Sequence, residues 1–302
     1  MMRETVVETH GPAGAPAPDD VVAGWRGDWE RSVAEAAESG DARLVARRRD
    51  YGSYVFAIVD LVAALIGAFI LSIPLVLLVT ALYLGTGHTM STPAGQKGYQ
   101  GWLLSPQVTF AGLLVTDGAI VAVLWYRLTR LRERWSLFGL GKALRVGPTR
   151  AVLIGLGLGV VAIVSSAIIA GVTRKLGFNT GAQDKLLIEP LRSAPWWIAW
   201  AVALAGTFVA PVAEELLFRG YIFRAIAARR GGAPAYLFSA LAFGLYHLSS
   251  GLALLPIVPA LFVVGLLLCF AYHRTGNLLT DITAHALNNG VAFFAALVLH
   301  QS

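Results

Sequence analysis

Long apolar runs constrain this sequence more than any other feature, because about 20 consecutive apolar residues can cross a bilayer as one helix. Hydrophobic residues make up 56% of the 302 positions and charged residues only 14%. Seven runs are long enough to name, at about residues 54–84, 108–126, 150–172, 196–218, 234–248, 252–273 and 278–299. The sequence therefore predicts an all-α fold, a polytopic transmembrane bundle of about seven spanning helices. The alternative is an eighth, partial spanning segment, because the first run is long and contains Pro74.

The first 50 residues form a separate region, because they contain no long apolar run and hold 10 of the 18 acidic residues. Residues 10–20 are rich in Pro, Gly and Ala, a composition that predicts disorder. We therefore expect a partly disordered N-terminal extension over residues 1–50 and a transmembrane helical bundle over residues 51–302.

An apolar stripe runs along the second half of this extension. Residues 21–49 are compatible with a helix, on which Trp25, Trp29 and Val33 are spaced four residues apart. The stripe favours a helix lying on the membrane surface and, equally, a plain soluble helix.

Basic residues are concentrated in the segments between the apolar runs, as topology signals are. Three of these segments, at residues 43–49, 127–145 and 224–230, lie on one side of the membrane if seven helices span it. The positive-inside rule then predicts a multi-pass protein with a cytoplasmic N-terminus, and we expect the plasma membrane as its location. We therefore interpret the net charge of +6 as a signal that orients the protein in the lipid bilayer. No nucleic-acid partner is expected.

Acidic residues are scarce beyond the extension, where only 8 of the 18 remain. A carboxylate near the middle of a bilayer costs several kcal/mol unless it is paired or hydrated, so such residues are functional candidates. Five of the eight lie in or beside apolar runs, namely Asp60, Asp117, Glu214, Glu215 and Asp281.

Glu214 and Glu215 are expected to differ in role, because they point in different directions on a helix. Glu215 and Arg219 are four residues apart, so they share a helix face and can form an ion pair. Glu214 points about 100° away and is the more reactive candidate. Pro211 removes one backbone hydrogen bond and can kink the helix, which makes room for water beside Glu214. The alternative is that Glu214 lies near a helix end and extends toward the membrane surface.

Two histidines and a carboxamide lie in later apolar runs. His247 ends one run, and His285 and Asn289 share one helix face because they are four residues apart. Glu214 with these three side chains suits water-mediated amide hydrolysis, which needs a base for the water and donors for the oxyanion. Glutamates and histidines can equally hold a zinc ion, and Glu214, His247 and His285 are the candidate ligands. The residue pattern leaves both mechanisms open.

Other protease signatures are missing from the sequence. It contains neither the His-Glu-x-x-His motif of zinc proteases nor a Gly-x-Ser-x-Gly motif. Its single cysteine, Cys269, excludes an intramolecular disulfide and a cysteine-rich zinc module.

Three motifs in order resemble those of a known family. They read Glu214-Glu215-x-x-x-Arg219, Phe243-x-x-x-His247 and His285-x-x-x-Asn289. Together they are similar to the CAAX prenyl protease and bacteriocin-processing family of intramembrane endopeptidases, and the similarity covers about residues 196–300. The resemblance implies that Glu214 and His247 activate water and that His285 and Asn289 stabilise the oxyanion. It also implies that Glu215, Arg219 and Phe243 support the site.

The expected function is therefore intramembrane endopeptidase activity, glutamate-type or metal-dependent, on a membrane-associated or lipid-modified protein or peptide. No cofactor is certain, although a divalent metal such as zinc would suit the same residues. One alternative is a non-catalytic membrane scaffold or immunity protein of the same fold. An ion-coupled transporter that uses Asp60 and Asp117 ranks lower, since the sequence shows no repeated halves.

Overall fold

The computed structural model describes residues 18–50, 53–131, 146–181, 189–192 and 194–298, and every regular element within these ranges is helical. The all-α prediction is thus confirmed. The helices before the first motif are α1 Pro18–Glu38, α2 Ala42–Asp50, α3 Tyr54–Gly85, α4 Pro93–Leu103, α5 Pro106–Leu131, α6 Pro148–Lys175 and α7 Glu189–Arg192. Those that follow are α8 Trp196–Leu204, α9 Ala210–Glu215, α10 Arg224–Arg230, α11 Gly232–Tyr246, α12 Val258–Thr275 and α13 Leu278–Val298.

Helices α8, α9 and α10 belong to one continuous helix, Trp196–Arg230, which we call the motif helix. Two π-helical segments, Ala205–Val209 and Leu216–Phe223, lie on either side of α9. The first ends two residues before Pro211, which has no N–H to donate to the preceding turn. Single π-helical turns are frequent at functional sites, and here they bracket the two glutamates.

Five helices of the described part of the chain are long and apolar enough to span a membrane. They are Tyr54–Gly85, Pro106–Arg127, Pro148–Lys175, Trp196–Arg230 and Leu252–Thr275. The run at 234–248 forms α11, which has only 15 residues. The run at 278–299 forms α13, whose 21 residues include polar ones such as Asp281 and His285. The first run continues as one helix through Pro74, so it contributes no eighth segment.

The N-terminal helices pack against the bundle. Trp25 is buried, stacks on Tyr272 with ring centroids 5.1 Å apart, and meets Phe223 edge-on at 6.0 Å. Asp28 pairs with Arg224 of the motif helix at 3.0 Å. The first tryptophan of the stripe thus lies against the bundle, which favours the plain helix over a helix whose apolar face lies on the membrane surface. A tryptophan stripe predicts burial of one face but does not identify what covers that face.

Asp60 is held by hydrogen bonds from two other helices. Its buried carboxylate on α3 accepts hydrogen bonds from Arg127 of α5 and from the Tyr221 hydroxyl of the motif helix. The three helices are thus joined at one level by polar contacts. A carboxylate held by a cation and a hydroxyl is a poor match for the proton relay of a transporter.

Candidate active site

A buried ion pair forms the base of the site. The Nη1 atom of Arg219 lies 3.0 Å from Oε1 of Glu215, and both side chains are 0% exposed. This is the pair that the four-residue spacing predicts. Arg219 also donates from Nη2 to the carbonyl of Gly265 on α12 at 3.2 Å, and its guanidinium lies 4.5 Å above the Phe243 ring. The guanidinium therefore joins the motif helix to α11 and α12.

Glu215 has a second partner that the spacing of the motifs does not show. His285 of α13 donates from Nδ1 to Oε1 of Glu215 at 2.7 Å, because a carboxylate oxygen can only accept. One carboxylate oxygen thus holds both Arg219 and His285. One argument could have predicted a second partner. An ionised carboxylate has about four acceptor sites, so an ion pair with one arginine leaves sites for another donor.

His247 is oriented in a similar way from another helix. His247 directly follows α11, and its Nδ1 donates to the carbonyl of Phe243 in the last turn of that helix at 2.9 Å. The Phe243 ring meets His247 edge-on at 4.9 Å and His285 at 5.5 Å. With Nδ1 occupied in both rings, each histidine directs Nε2 into the site.

Glu214 is the point on which the two histidines converge. Its Oε2 lies 4.0 Å from Nε2 of His247 and 4.0 Å from Nε2 of His285. These separations exceed a hydrogen bond and suit one bridging water molecule. Oε2 has no hydrogen-bond partner among the described residues. The residue is only 9% exposed and the helix continues to Arg230, so the alternative that Glu214 extends to the membrane surface is wrong.

Asn289 contacts the motif helix at Gly206, which lies closer to the start of that helix than Glu214 does. Its Nδ2 donates to the carbonyl of Gly206 at 3.0 Å, one turn along α13 from His285. A Cβ atom on Gly206 would lie 2.4 Å from the Phe293 ring, so glycine permits this close approach. The structure therefore brings Glu214, His247 and His285 together directly and places Asn289 on the same face of α13.

A zinc ion does not fit the three candidate donors as they stand. Donors around tetrahedral zinc lie about 3.3 Å apart, given the usual zinc–ligand bond lengths. Here both Nε2 atoms lie 4.0 Å from Oε2 of Glu214. Within the described ranges, no group of three His, Cys, Asp or Glu side chains is arranged to hold a metal ion. Metal dependence therefore stays a hypothesis.

Close packing of α11 and α12 positions the arginine, and this leads to a first prediction. A Cβ atom on Gly265 would lie 2.9 Å from Cα and 3.1 Å from Cβ of Ala240. We expect Gly265→Ala to separate the two helices, move the carbonyl that Arg219 binds, and cost about 1–3 kcal/mol of unfolding free energy. Denaturant titration in detergent measures this cost. Gly157→Ala is the control, since its Cβ would meet nothing within 4 Å, and equal losses for both variants would contradict the prediction.

Comparison with known proteins supports the resemblance that the motifs carry. Residues 195–291 match a family model described as type II CAAX prenyl endopeptidase Rce1-like. The recognition made from the sequence is thus confirmed for this region, which contains all three motifs. Comparisons with curated proteins and with solved structures give no match. The apolar helices and this protease family together indicate an integral membrane protein.

Proposed function

We propose that this chain is an intramembrane endopeptidase whose Rce1-like region hydrolyses a peptide bond of a membrane-associated protein or peptide. The proposal is carried by the convergence of two histidine Nε2 atoms on one buried oxygen of Glu214, which has no hydrogen-bond partner among the described residues. The family match supports proteolysis in general. The roles proposed for individual residues are supported by the geometry of their contacts.

Glu214 is the general base in this proposal. A water molecule between Oε2 and Nε2 of His247 loses its proton to Glu214 as its oxygen bonds to the substrate carbonyl carbon. The tetrahedral intermediate collapses when the C–N bond breaks and the amine nitrogen takes up that proton. The products are a carboxylic acid and an amine, so the proton taken from water is returned.

His285 and Asn289 are proposed to stabilise the oxyanion. Nδ1 of His285 already donates to Glu215, so only Nε2–H can reach the substrate oxygen. The ring must then carry both protons, and the Glu215 carboxylate compensates that charge. Asn289 uses one N–H on the Gly206 carbonyl and has a second N–H for the oxyanion.

Removing the carboxamide is expected to slow turnover without changing substrate binding. Asn289→Ala should lower kcat about 10²-fold, since loss of one oxyanion donor has that effect in other hydrolases. KM should change little, because the contact forms mainly in the transition state. Asn288→Ala is the comparison, since among the described residues Asn288 donates to Oδ1 of Asn289 at 3.3 Å, and its removal leaves both N–H groups of Asn289 in place. Equal kcat losses in the two variants would exclude a specific role for Asn289.

The test of the proposed function is direct cleavage by purified protein in detergent or liposomes. We expect it to cleave a fluorogenic membrane-anchored peptide, with both products found by mass spectrometry. The combined variant Glu214→Ala and His247→Ala should be inactive, and cleavage at an equal rate would exclude the assignment. An unlipidated peptide of the same sequence, assayed in parallel, distinguishes a lipid-modified substrate from one that is only membrane-associated.

Metal removal discriminates between the two mechanisms that the sequence leaves open. Because the three donors do not fit zinc, we expect cleavage to persist after dialysis against a chelator, with no stoichiometric metal in the purified protein. Activity that disappears on chelation and returns with added zinc would instead assign Glu214, His247 and His285 as ligands. Metal analysis and the cleavage assay on the same sample provide both readouts.

A further inference from the structure

An open cavity of about 580 Å³ lies between the N-terminal extension and the bundle. None of the residues that line it belongs to the three motifs, and the proposed mechanism does not use it. Its volume lies within the range of small-molecule sites, about 300–1,000 Å³. Helix α1 contributes Val22, Ala23 and Arg26 to its wall, and the bundle contributes Gly232, Tyr236 and His273.

The cavity lies where two of the candidate membrane spans end. The motif helix ends at Arg230, directly before the turn that lines the cavity, and the span Leu252–Thr275 ends two residues after His273. The basic segment 224–230 therefore lies at this end of the bundle, on the side that the positive-inside rule predicts to be cytoplasmic. Anionic phospholipids are concentrated in that leaflet, so their headgroups are the ligands present at this level.

Arg26 supplies a positive charge at the wall of the cavity. Its Nε atom donates to the carbonyl of Ala228 on the motif helix at 3.1 Å. Its Nη1 and Nη2 atoms have no hydrogen-bond partner among the described residues, and the guanidinium forms no ion pair with them. A guanidinium can bind two oxygens of one phosphate group with parallel N–H bonds. Arg26 is thus anchored through one nitrogen and keeps two for an anion.

The bundle side of the cavity adds two polar side chains. The Tyr236 hydroxyl and Nδ1 of His273 share a hydrogen bond of 3.2 Å, and both groups are able to donate to an anion. A Cβ atom on Gly232 would lie 3.3 Å from the His273 ring, so glycine leaves this part of the wall clear. Among the described residues, no acidic side chain lines the cavity. Its polar groups therefore favour a negatively charged ligand.

The surroundings of the cavity favour a lipid headgroup over a free phosphate ion. Arg230 and Arg274 are exposed nearby, with their guanidiniums 5.4 Å from the Tyr54 ring and 5.1 Å from the Phe270 ring. They add positive potential at the membrane surface, which attracts anionic lipids. The cavity is also much larger than a phosphate ion, and the apolar Val22 in its wall suits a glycerol chain attached to the phosphate.

We propose that this cavity binds the phosphate group of an anionic phospholipid headgroup, with Arg26 as the principal donor and with Tyr236 and His273 beside it. The bound lipid links the N-terminal extension to the bundle, because the donors come from both sides of the cavity. The proposal is independent of the endopeptidase function, since no residue of the three motifs takes part in it.

Native mass spectrometry of the purified protein in detergent tests the proposal by counting bound lipids during a titration. The probe is dioctanoyl phosphatidylglycerol, which has an anionic headgroup. Dioctanoyl phosphatidylcholine is the zwitterionic comparison, and glycerol 3-phosphate represents a free phosphate compound. We expect saturable binding of one phosphatidylglycerol molecule and weaker binding of the other two compounds.

Three variants locate the bound lipid. Arg26→Gln should weaken phosphatidylglycerol binding about 10-fold or more, because charge-assisted hydrogen bonds are lost. Ala23→Leu fills the cavity without changing any charge and should also weaken binding, while both residues favour a helix. Arg43→Gln is the matched control, since Arg43 is exposed on α2 and does not line the cavity. It removes the same charge from the same extension and should leave binding unchanged.

Each contrary outcome would overturn the proposal. Equal weakening by Arg26→Gln and Arg43→Gln would show that the lipid is attracted to basic surfaces in general. Unchanged binding by Ala23→Leu would place the lipid outside the cavity. Glycerol 3-phosphate that binds as tightly as phosphatidylglycerol would assign the cavity to a free phosphate compound. The thermal unfolding midpoint shows whether each variant is folded, and Ala23→Leu, which keeps the arginine, decides the matter if Arg26→Gln is not.

Discussion

Replacing Glu214 with glutamine is expected to lower the rate of peptide hydrolysis by about 10²- to 10⁴-fold, the usual contribution of a general base. Glutamine has nearly the same shape but cannot take a proton from water. Stability should be unaffected, because Oε2 of Glu214 has no hydrogen-bond partner among the described residues and so none is lost there. Cleavage kinetics and the thermal unfolding midpoint of the same preparation measure the two effects.

Glu189→Gln provides the matched control for this prediction. Glu189 is exposed on α7, so the same chemical change there should affect neither activity nor stability. If Glu214→Gln cleaved as fast as the wild type, the assignment of Glu214 as base would be wrong. If it were inactive only because it failed to fold, the unfolding measurement would reveal this.

The largest expected effect on stability comes from Arg219→Met. Removing one partner of a fully buried ion pair leaves an uncompensated charge, which costs about 3–5 kcal/mol. Glu215 would lose the cation, and the neighbouring carboxyl of Asp281, buried without a hydrogen-bond partner among the described residues, interacts with the same guanidinium. Denaturant titration in detergent measures the loss. Activity should fall as well, because Glu215 also holds His285.

Two comparisons make the Arg219 prediction specific. Asp28→Asn removes a pair of the same 3.0 Å length with Arg224 and an exposed pair with Arg31, but Asp28 is 41% exposed, so the expected cost is below about 1 kcal/mol. Adding Glu215→Gln to Arg219→Met removes both members of the ion pair and should recover part of the stability, although the charged His285 ring then lacks its carboxylate, with activity still low. A single variant as stable as the wild type would show that the ion pair contributes nothing.

Local spacing was sufficient where the interaction lies within one helix. Glu215 and Arg219 meet because residues four apart lie on one helix face, which holds wherever the helix forms. The distinct direction of Glu214 follows from the same geometry. The apolar runs predicted the spanning helices in the same local way, and five are confirmed as candidate spans in the described part of the chain.

The spacing of residues within one helix could not predict contacts between different helices. The bond from His285 to Glu215 joins residues 70 positions apart, and the stacking of Trp25 on Tyr272 joins an extension to the bundle. Asp117 was recognised as an intramembrane acid, but only the structure shows that it is buried on α5, a helix that packs against α9. Helix–helix register depends on which small residues permit close approach, such as Gly206 and Gly265, and their partners are distant in sequence.

The sequence by itself determined that this protein is an all-helical membrane protein and that Glu214 and Glu215 face different ways, because both follow from composition and from the period of one helix. Only the tertiary structure decided that the two histidines converge on Glu214 and that one oxygen of Glu215 holds both Arg219 and His285. These features arise between helices, where orientation is set by packing and by buried polar groups that must find partners.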